Sequence, residues 1–249
     1  MNFPEIRLDP VLPSTEKLFH KNPCQRACEA EVLMVKGDCI VLDRSVFYGE
    51  SGGQVPDHGV IGGINVVDVQ HRGGRPLKLA GTLRPLPNFQ VDTILVHRLA
   101  EPARLQPGDR VELEIDWQRR YELMRQHSAC HFMYHAVQTI LCYDGSEAAR
   151  SRGCSIAPGR NRMDFLANLD ADQIAEAEVK ANQLISLGLP IRMQPEPASG
   201  EVYYWRYGED IIIPCGGTHV ASAVELSPLR LKRFKKGAGL TRVEAAFAG

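Results

Sequence analysis

Apolar and polar residues change places in short runs through the first half of the chain. Residues 29–35 and 39–42 form two such runs around the polar Lys36-Gly37-Asp38, so they are predicted to pair as a hairpin. Glycine then accumulates as Gly49, Gly52, Gly53, Gly59, Gly62, Gly63, Gly73 and Gly74, interrupted by a strand-like stretch at 64–69. Short strands broken by glycine suit a small barrel with tight corners. Two more strands are predicted at 94–99 and 111–115, joined through the Pro107-Gly108 turn.

At Asp116 the pattern changes from the period of a strand to that of a helix. Asp116 is a suitable N-cap, and from Trp117 to about Cys142 there is no glycine or proline. Leu123, Met124, His127, His131, Tyr134, His135, Gln138 and Leu141 recur at helical spacing, which predicts one long helix. Strands at 154–156 and 161–166 follow around Ala157-Pro158-Gly159-Arg160. Asp170 then caps a second helix that reaches Leu187 and is stopped by Gly188 and Pro190. Residues 191–194, 211–213, 223–226 and 241–246 are read as further strands. The fold class predicted is α+β: a small β-barrel-like domain over residues 1–116, then a domain over 117–249 with helices on a largely antiparallel sheet.

A chain of 249 residues, 44% hydrophobic and 24% charged, can bury the core of one or two ordinary globular domains. It contains no apolar run near the roughly 18–20 residues of a membrane span, so no membrane partner is expected. Met1-Asn2-Phe3-Pro4-Glu5-Ile6-Arg7 lacks the layout of a signal peptide, and seven cysteines in no dense spacing suit a reducing, cytoplasmic setting. A net charge of −1 means that an anionic partner must be held by a local patch. Arg230, Lys232, Arg233, Lys235 and Lys236, with Arg242 beyond, supply one; the alternative is a solvated edge strand guarded by lysines.

Candidate chemistry sits in two segments, His127-Ser128-Ala129-Cys130-His131 and Cys215-Gly216-Gly217-Thr218-His219. Residues four apart on a helix lie one above the other, so His127 and His131 can grip one ion. Three imidazoles and a thiolate are a natural tetrahedral zinc set, which predicts one Zn²⁺ per chain on His127, His131, Cys215 and His219. His135, a turn further on, drifts around the helix and is read as a polar helix residue. Ser128 stands where the glutamate of a His-Glu-x-x-His protease would be, which removes that protein class. Cys24 and Cys28 form a Cys-x-x-x-Cys that is not read as a second metal site, and Cys39 and Cys142 are read as core residues.

Several further segments accompany these two, in order along the chain. They are Phe47-Tyr48-Gly49-Glu50-Ser51-Gly52-Gly53-Gln54 with Asp57, Asn161-Arg162-Met163-Asp164-Phe165, and Lys236-Gly237-Ala238-Gly239 with Arg242-Val243-Glu244. Together with the two metal motifs, this series resembles the alanyl-tRNA editing family: free-standing AlaX-type trans-editing proteins and the editing domain of alanyl-tRNA synthetase. The length resembles that of the free-standing form.

The resemblance implies a zinc-bearing editing domain at 117–249 that hydrolyses the ester of mischarged Ser-tRNA(Ala), with Gly-tRNA(Ala) as a second candidate substrate. The partner implied is mischarged tRNA(Ala), bound by a monomer or weak dimer. Where the family usually has threonine before the second histidine, this chain has Cys130. The stretch Arg150-Ser151-Arg152-Gly153-Cys154 lacks the glutamine or threonine that some members place near substrate, leaving Ser151 or Cys154 as substitutes. Cys130, Ser151, Cys154 and Gln54 are therefore the candidate substrate-side residues, Gln54 having a loop-holding role as its alternative. The metal either activates water or positions the seryl group. The competing function is a zinc-stapled RNA-binding module without catalysis, or a zinc hydrolase acting on another ester.

Overall fold

The computed structural model describes residues 8–9, 11–77, 89–141, 151–237 and 239–248. Cys142, Arg150 and Ala238, which figure in the sequence reading, lie outside them. The fold is mixed α+β with strands dominant. The chain divides into two compact units: the described residues within 8–51, 55–77 and 89–120 belong to one, and those within 52–54 and 121–248 to the other.

In the first unit, β1 (Ala27–Lys36), β2 (Cys39–Leu42), β3 (Gly59–Ile61), β4 (Ile64–Arg72), β5 (Ile94–Leu99) and β6 (Arg110–Ile115) all pair antiparallel. Their order is β1-β2-β5-β4-β3-β6, and β6 returns to β1, so the hydrogen bonding closes on itself. The short β3, which the glycine-rich sequence hides, is the piece that completes this circuit. Period-two patterning places the core: Val111, Leu113 and Ile115 of β6 are buried while Arg110, Glu112 and Glu114 are exposed. They join Ala30, Val32, Ile40, Leu42, Ile61, Phe47 and Tyr48 in one apolar cluster. The other face of β2 is buried as well, where Cys39 and Val41 meet Ile94 and Val96.

One ion pair lies entirely inside this unit. Arg120 and Asp57 are both fully buried. Arg120 Nε donates to both Asp57 oxygens at 3.1 and 3.0 Å, and Nη2 also reaches Oδ2. The rest of the guanidinium donates to the carbonyls of Pro23 at 2.8 Å and Val46 at 2.7 Å. Asp57 accepts from the Tyr48 backbone N–H at 2.7 Å and returns its own N–H to the Tyr48 carbonyl at 3.1 Å, closing the base of the glycine-rich loop. A charge without water is tolerable only when its hydrogen bonds are made, and here every guanidinium nitrogen has a partner.

The second unit is built around α1 (Trp117–Ile140), of which the part from Tyr121 onward belongs to it. Asp116 starts the helix by accepting the Arg119 N–H at 3.0 Å. All eight residues from Gln126 to Met133 are buried, so this is a core helix rather than an amphipathic one. After it come β7 (Ser151–Ala157), β8 (Arg160–Phe165), α2 (Ala171–Ser186), β9 (Ile191–Glu196), β10 (Ser199–Tyr207), β11 (Ile211–Pro214), β12 (Leu229–Lys235) and β13 (Thr241–Phe247). They form two antiparallel sheets, β7-β8-β13-β12 and β9-β10-β11. A reciprocal bond between Asp170 and Gln173 caps α2, which buries Ile174, Ala177, Ala181 and Ile185. Asn182 of α2 bonds both the N–H and the carbonyl of Leu229, satisfying backbone on the edge strand β12.

Beyond β3, other elements of the second unit also differ from the sequence reading. Residues 223–226 were expected as a strand, but Ala223–Glu225 is a 3₁₀ turn. Ser222 Oγ accepts the Val224 N–H at 3.4 Å and Glu225 reaches back to the Ser222 N–H at 3.1 Å, and these local bonds override strand propensity. Strand β10 was not anticipated because Val202-Tyr203-Tyr204-Trp205 is buried without a break, so no alternation marks it.

Replacing Arg120 with methionine leaves Asp57 buried without its partner and is expected to cost about 3–5 kcal/mol of stability, read by urea unfolding. The double replacement Arg120→Met/Asp57→Leu should cost clearly less than the two single changes added together.

Candidate metal centre

His127 and His131 project from the buried stretch of α1, one turn apart. Strand β11 ends at Pro214, and the Cys215 N–H is held by the Tyr203 carbonyl at 2.9 Å, which starts the turn carrying Cys215 and His219. The four side chains converge, with one ligand atom from each lying within 4.8 Å of all the others. Cys215 Sγ is 3.5 Å from His127 Nε2 and 3.2 Å from His219 Nε2. In a zinc tetrahedron with ordinary bond lengths the N···S edge is about 3.5 Å, so these atoms stand close to where a single ion would hold them.

Burial governs the electrostatics. Loss of water pushes the Cys215 thiol up to about 12 and the His127 imidazole down to about 3. His131 and His219 lie well below the usual histidine range for the same reason, with neighbouring imidazoles adding to the effect. Three neutral imidazoles are ready to ligate, and a dication would supply the compensation that a Cys215 thiolate needs. The residues fit a metal on one further count. His131 Nδ1 is buried with no hydrogen-bond partner among the described residues.

Around the ligands lies a set of supporting contacts. Gln54, fully buried, accepts at Oε1 from His127 Nδ1 at 2.7 Å and from the Thr218 N–H at 3.3 Å, and its amide nitrogen donates to Thr218 Oγ1 at 3.0 Å. Ser128 Oγ lies 3.1 Å from His219 Nδ1 and accepts the Val220 N–H at 3.3 Å. Trp205 stacks on His131 with ring centroids 4.9 Å apart. Gly217 passes so close to His127 that a Cβ there would lie 2.1 Å from Cε1, so glycine is required by proximity. Gly53 combines φ +83° with contact against Cys154, whose Sγ would be 2.4 Å from an added Cβ. Of these supporting residues, Ser128 and Thr218 sit inside the sequence motifs, whereas nothing local marks Trp205.

The remaining candidate residues are distributed as follows. Cys154, half-buried on β7, donates its thiol to the Gly52 carbonyl at 3.1 Å, and burial raises its pKa. Cys130 is buried in the core, which holds its thiol protonated. Ser151 is exposed at the start of β7. His135 is outside the four-residue cluster. Of the basic residues, Arg242 forks onto Asp164 at 2.6 and 2.8 Å, Arg230 pairs with Glu178 at 2.8 Å, and Arg233 donates to the Leu169 carbonyl at 3.0 Å. Lys232 lies over the Phe234 ring at 5.2 Å. Among the described residues, no salt bridge is made by Lys232, Lys235 or Lys236.

No protein-family model matches the chain. It is 30% identical over 237 residues to the alanyl-tRNA editing protein AlaX-M of Pyrococcus horikoshii, covering 94% of this chain and 98% of that protein. It is 29% identical over 254 residues to an alanine–tRNA ligase of Methanococcus vannielii, and 29% identical over 242 residues to one of Saccharolobus islandicus. Those alignments cover 94% and 89% of this chain but 26% and 25% of the ligases, so it spans about a quarter of their length.

The wild-type protein is expected to take up one divalent ion per chain, and Cys215→Ala/His219→Ala to take up none, measured by elemental analysis after desalting. Because the imidazoles are already neutral at pH 7 and the thiol is not ionised, uptake should release about one proton. Affinity should then rise about tenfold per pH unit around neutrality, which calorimetry in buffers of different ionisation enthalpy would check.

Proposed function

The chain belongs to the alanyl-tRNA editing family of AlaX-type proteins, and from that premise we propose that it is a trans-editing hydrolase for mischarged Ser-tRNA(Ala), with Gly-tRNA(Ala) as a second substrate. The observation that carries the reading is the buried His127, His131, Cys215 and His219 cluster, in a chain that aligns with an editing protein over nearly its whole length. Its nitrogen and sulfur donors in a four-ligand cluster suit zinc and disfavour the hard ions magnesium and calcium.

A pocket sized for alanine rejects serine by only about 10²-fold, because serine adds just one hydroxyl. A second, hydrolytic site restores accuracy if it demands that hydroxyl, since groups built to bond it can reject the analogue lacking it by roughly 10⁴–10⁵. When bound, the metal supplies Lewis acidity toward an ester carbonyl or a water. The protein's own residues do the rest. His127, His131, Cys215 and His219 hold the centre, while Gln54, Thr218 and Ser128 orient the ligands. Cys154 and Cys130 are protonated thiols, so neither is a nucleophile at neutral pH; Cys154 and Ser151 are hydrogen-bonding groups for substrate. The tRNA backbone is met by Lys232, Lys235 and Lys236, whereas Arg230, Arg233 and Arg242 have their guanidinium groups engaged within the unit.

One observation favours a second reading. Four protein ligands fill a tetrahedron, as structural zinc sites do, which suits a metal-stapled RNA-binding module without catalysis.

Incubation with Ser-tRNA(Ala), Gly-tRNA(Ala) and Ala-tRNA(Ala), with and without chelator, separates these readings. Loss of ester from the seryl and glycyl species alone, abolished by chelation, is the expected result. Binding without deacylation supports the module, and equal hydrolysis of all three supports a general esterase. Replacing Lys232, Lys235 and Lys236 with alanine should weaken tRNA binding and reduce its salt dependence by about two to three units of log–log slope; an unchanged slope returns this strand to the role of a guarded sheet edge.

A further inference from the structure

The three imidazoles of the cluster differ in what lies behind them. His131 Nδ1 has no partner among the described residues. His219 Nδ1 faces Ser128 Oγ, and a hydroxyl can either donate or accept, so this contact is compatible with both tautomers. His127 Nδ1 faces Gln54 Oε1 at 2.7 Å, and a carbonyl oxygen can only accept.

The orientation of the Gln54 amide is fixed by its other contacts. The Thr218 backbone N–H, which can only donate, points at Oε1 at 3.3 Å, and Thr218 Oγ1 receives the amide nitrogen at 3.0 Å. Turning the amide over would set an N–H₂ group against the Thr218 N–H and leave a buried donor unsatisfied. Gln54 and Thr218 are 0% and 1% exposed, so water cannot substitute. Gly217 closes over the same edge of the ring, where a Cβ would come within 2.4 Å of Nδ1.

We propose that Gln54 is a positioning residue for the metal centre: pinned by Thr218, its Oε1 holds His127 as the Nδ1–H tautomer, so that the Nε2 lone pair faces Cys215 and His219. Gln54 thereby acts through His127. Its motif lies 73 positions from that histidine in sequence, which gives the glycine-rich segment a defined role in metal ligation. The proposal rests on the cluster's being a metal centre and is independent of which ester, if any, the protein cleaves. Partners of this kind typically alter metal affinity by about 10–100-fold.

The test uses the full chain and reads the metal rather than turnover. Long-range ¹H–¹⁵N correlation spectra of the metal-free wild-type protein should show His127 protonated at Nδ1; protonation at Nε2 would overturn the proposal without any variant. Zn²⁺ affinity by chelator competition should fall about 10–100-fold in Gln54→Leu, which removes the acceptor. It should stay within about threefold of wild type in Gln54→Glu, whose carboxylate still accepts from both N–H groups. Wild-type affinity in Gln54→Leu, or equal loss in both variants, would overturn it. Cobalt-substituted spectra report the same ligand set independently. Unchanged thiolate-to-cobalt bands in Gln54→Glu and altered bands in Gln54→Leu are expected, and identical spectra in all three proteins would count against the assignment. Deacylation is measured separately, so a failure of the editing reading leaves these metal readouts standing.

Discussion

Three imidazoles and a thiol, drawn out of water around one point, are the constraint on which the second unit is built. Each is costly to bury without a partner, and each is buried here. The helix that carries two of them is enclosed for eight consecutive residues, so its polar groups must find partners within the protein. His127 is met by Gln54, Ser128 by His219 and Val220, and Gln126 by Glu122 and Asn161. What remains is a set of ligand atoms facing one another, an arrangement that a single dication relieves.

The first unit meets the same physical problem with a different answer. Its closed circuit of strands satisfies backbone groups internally, and the buried Arg120–Asp57 pair satisfies itself through carbonyls as well as through the opposite charge. Asp57 spends hydrogen bonds on both the Arg120 guanidinium and the Tyr48 backbone, which fixes the base of the glycine-rich loop. In both units, buried polar groups such as Arg120 with Asp57 and Gln54 with His127 are joined in small networks, and removing one member exposes the cost of the others.

Much of the architecture was legible where the determinants are local. The alternation at 111–115, the capping residues Asp116 and Asp170, and the glycine- and proline-free run after Trp117 each depend on near neighbours, and the corresponding strand and helices form. The turn at Ala223–Glu225 was misread because its residues look strand-like while Ser222 and Glu225 bond the backbone into a 3₁₀ turn. Strand β10 escaped notice because burial on both sides erases alternation. The basic stretch near the C-terminus illustrates the same limit, since charge is visible in sequence but the engagement of Arg230, Arg233 and Arg242 by distant groups is not.

The sequence by itself determined the donor chemistry, two histidines one helical turn apart and a Cys-x-x-x-His turn with glycine between, because ligand type and short-range spacing are properties of the chain. Only the tertiary structure decided that these halves meet. His127 and Cys215 are 88 positions apart, and Gln54 comes 73 positions from the histidine it holds. Their convergence depends on strand pairing, on Trp205 packing against His131 and on Gly217 yielding space to an imidazole. None of these has a local signature, because the energies that favour them are contacts between residues brought together only when the core closes.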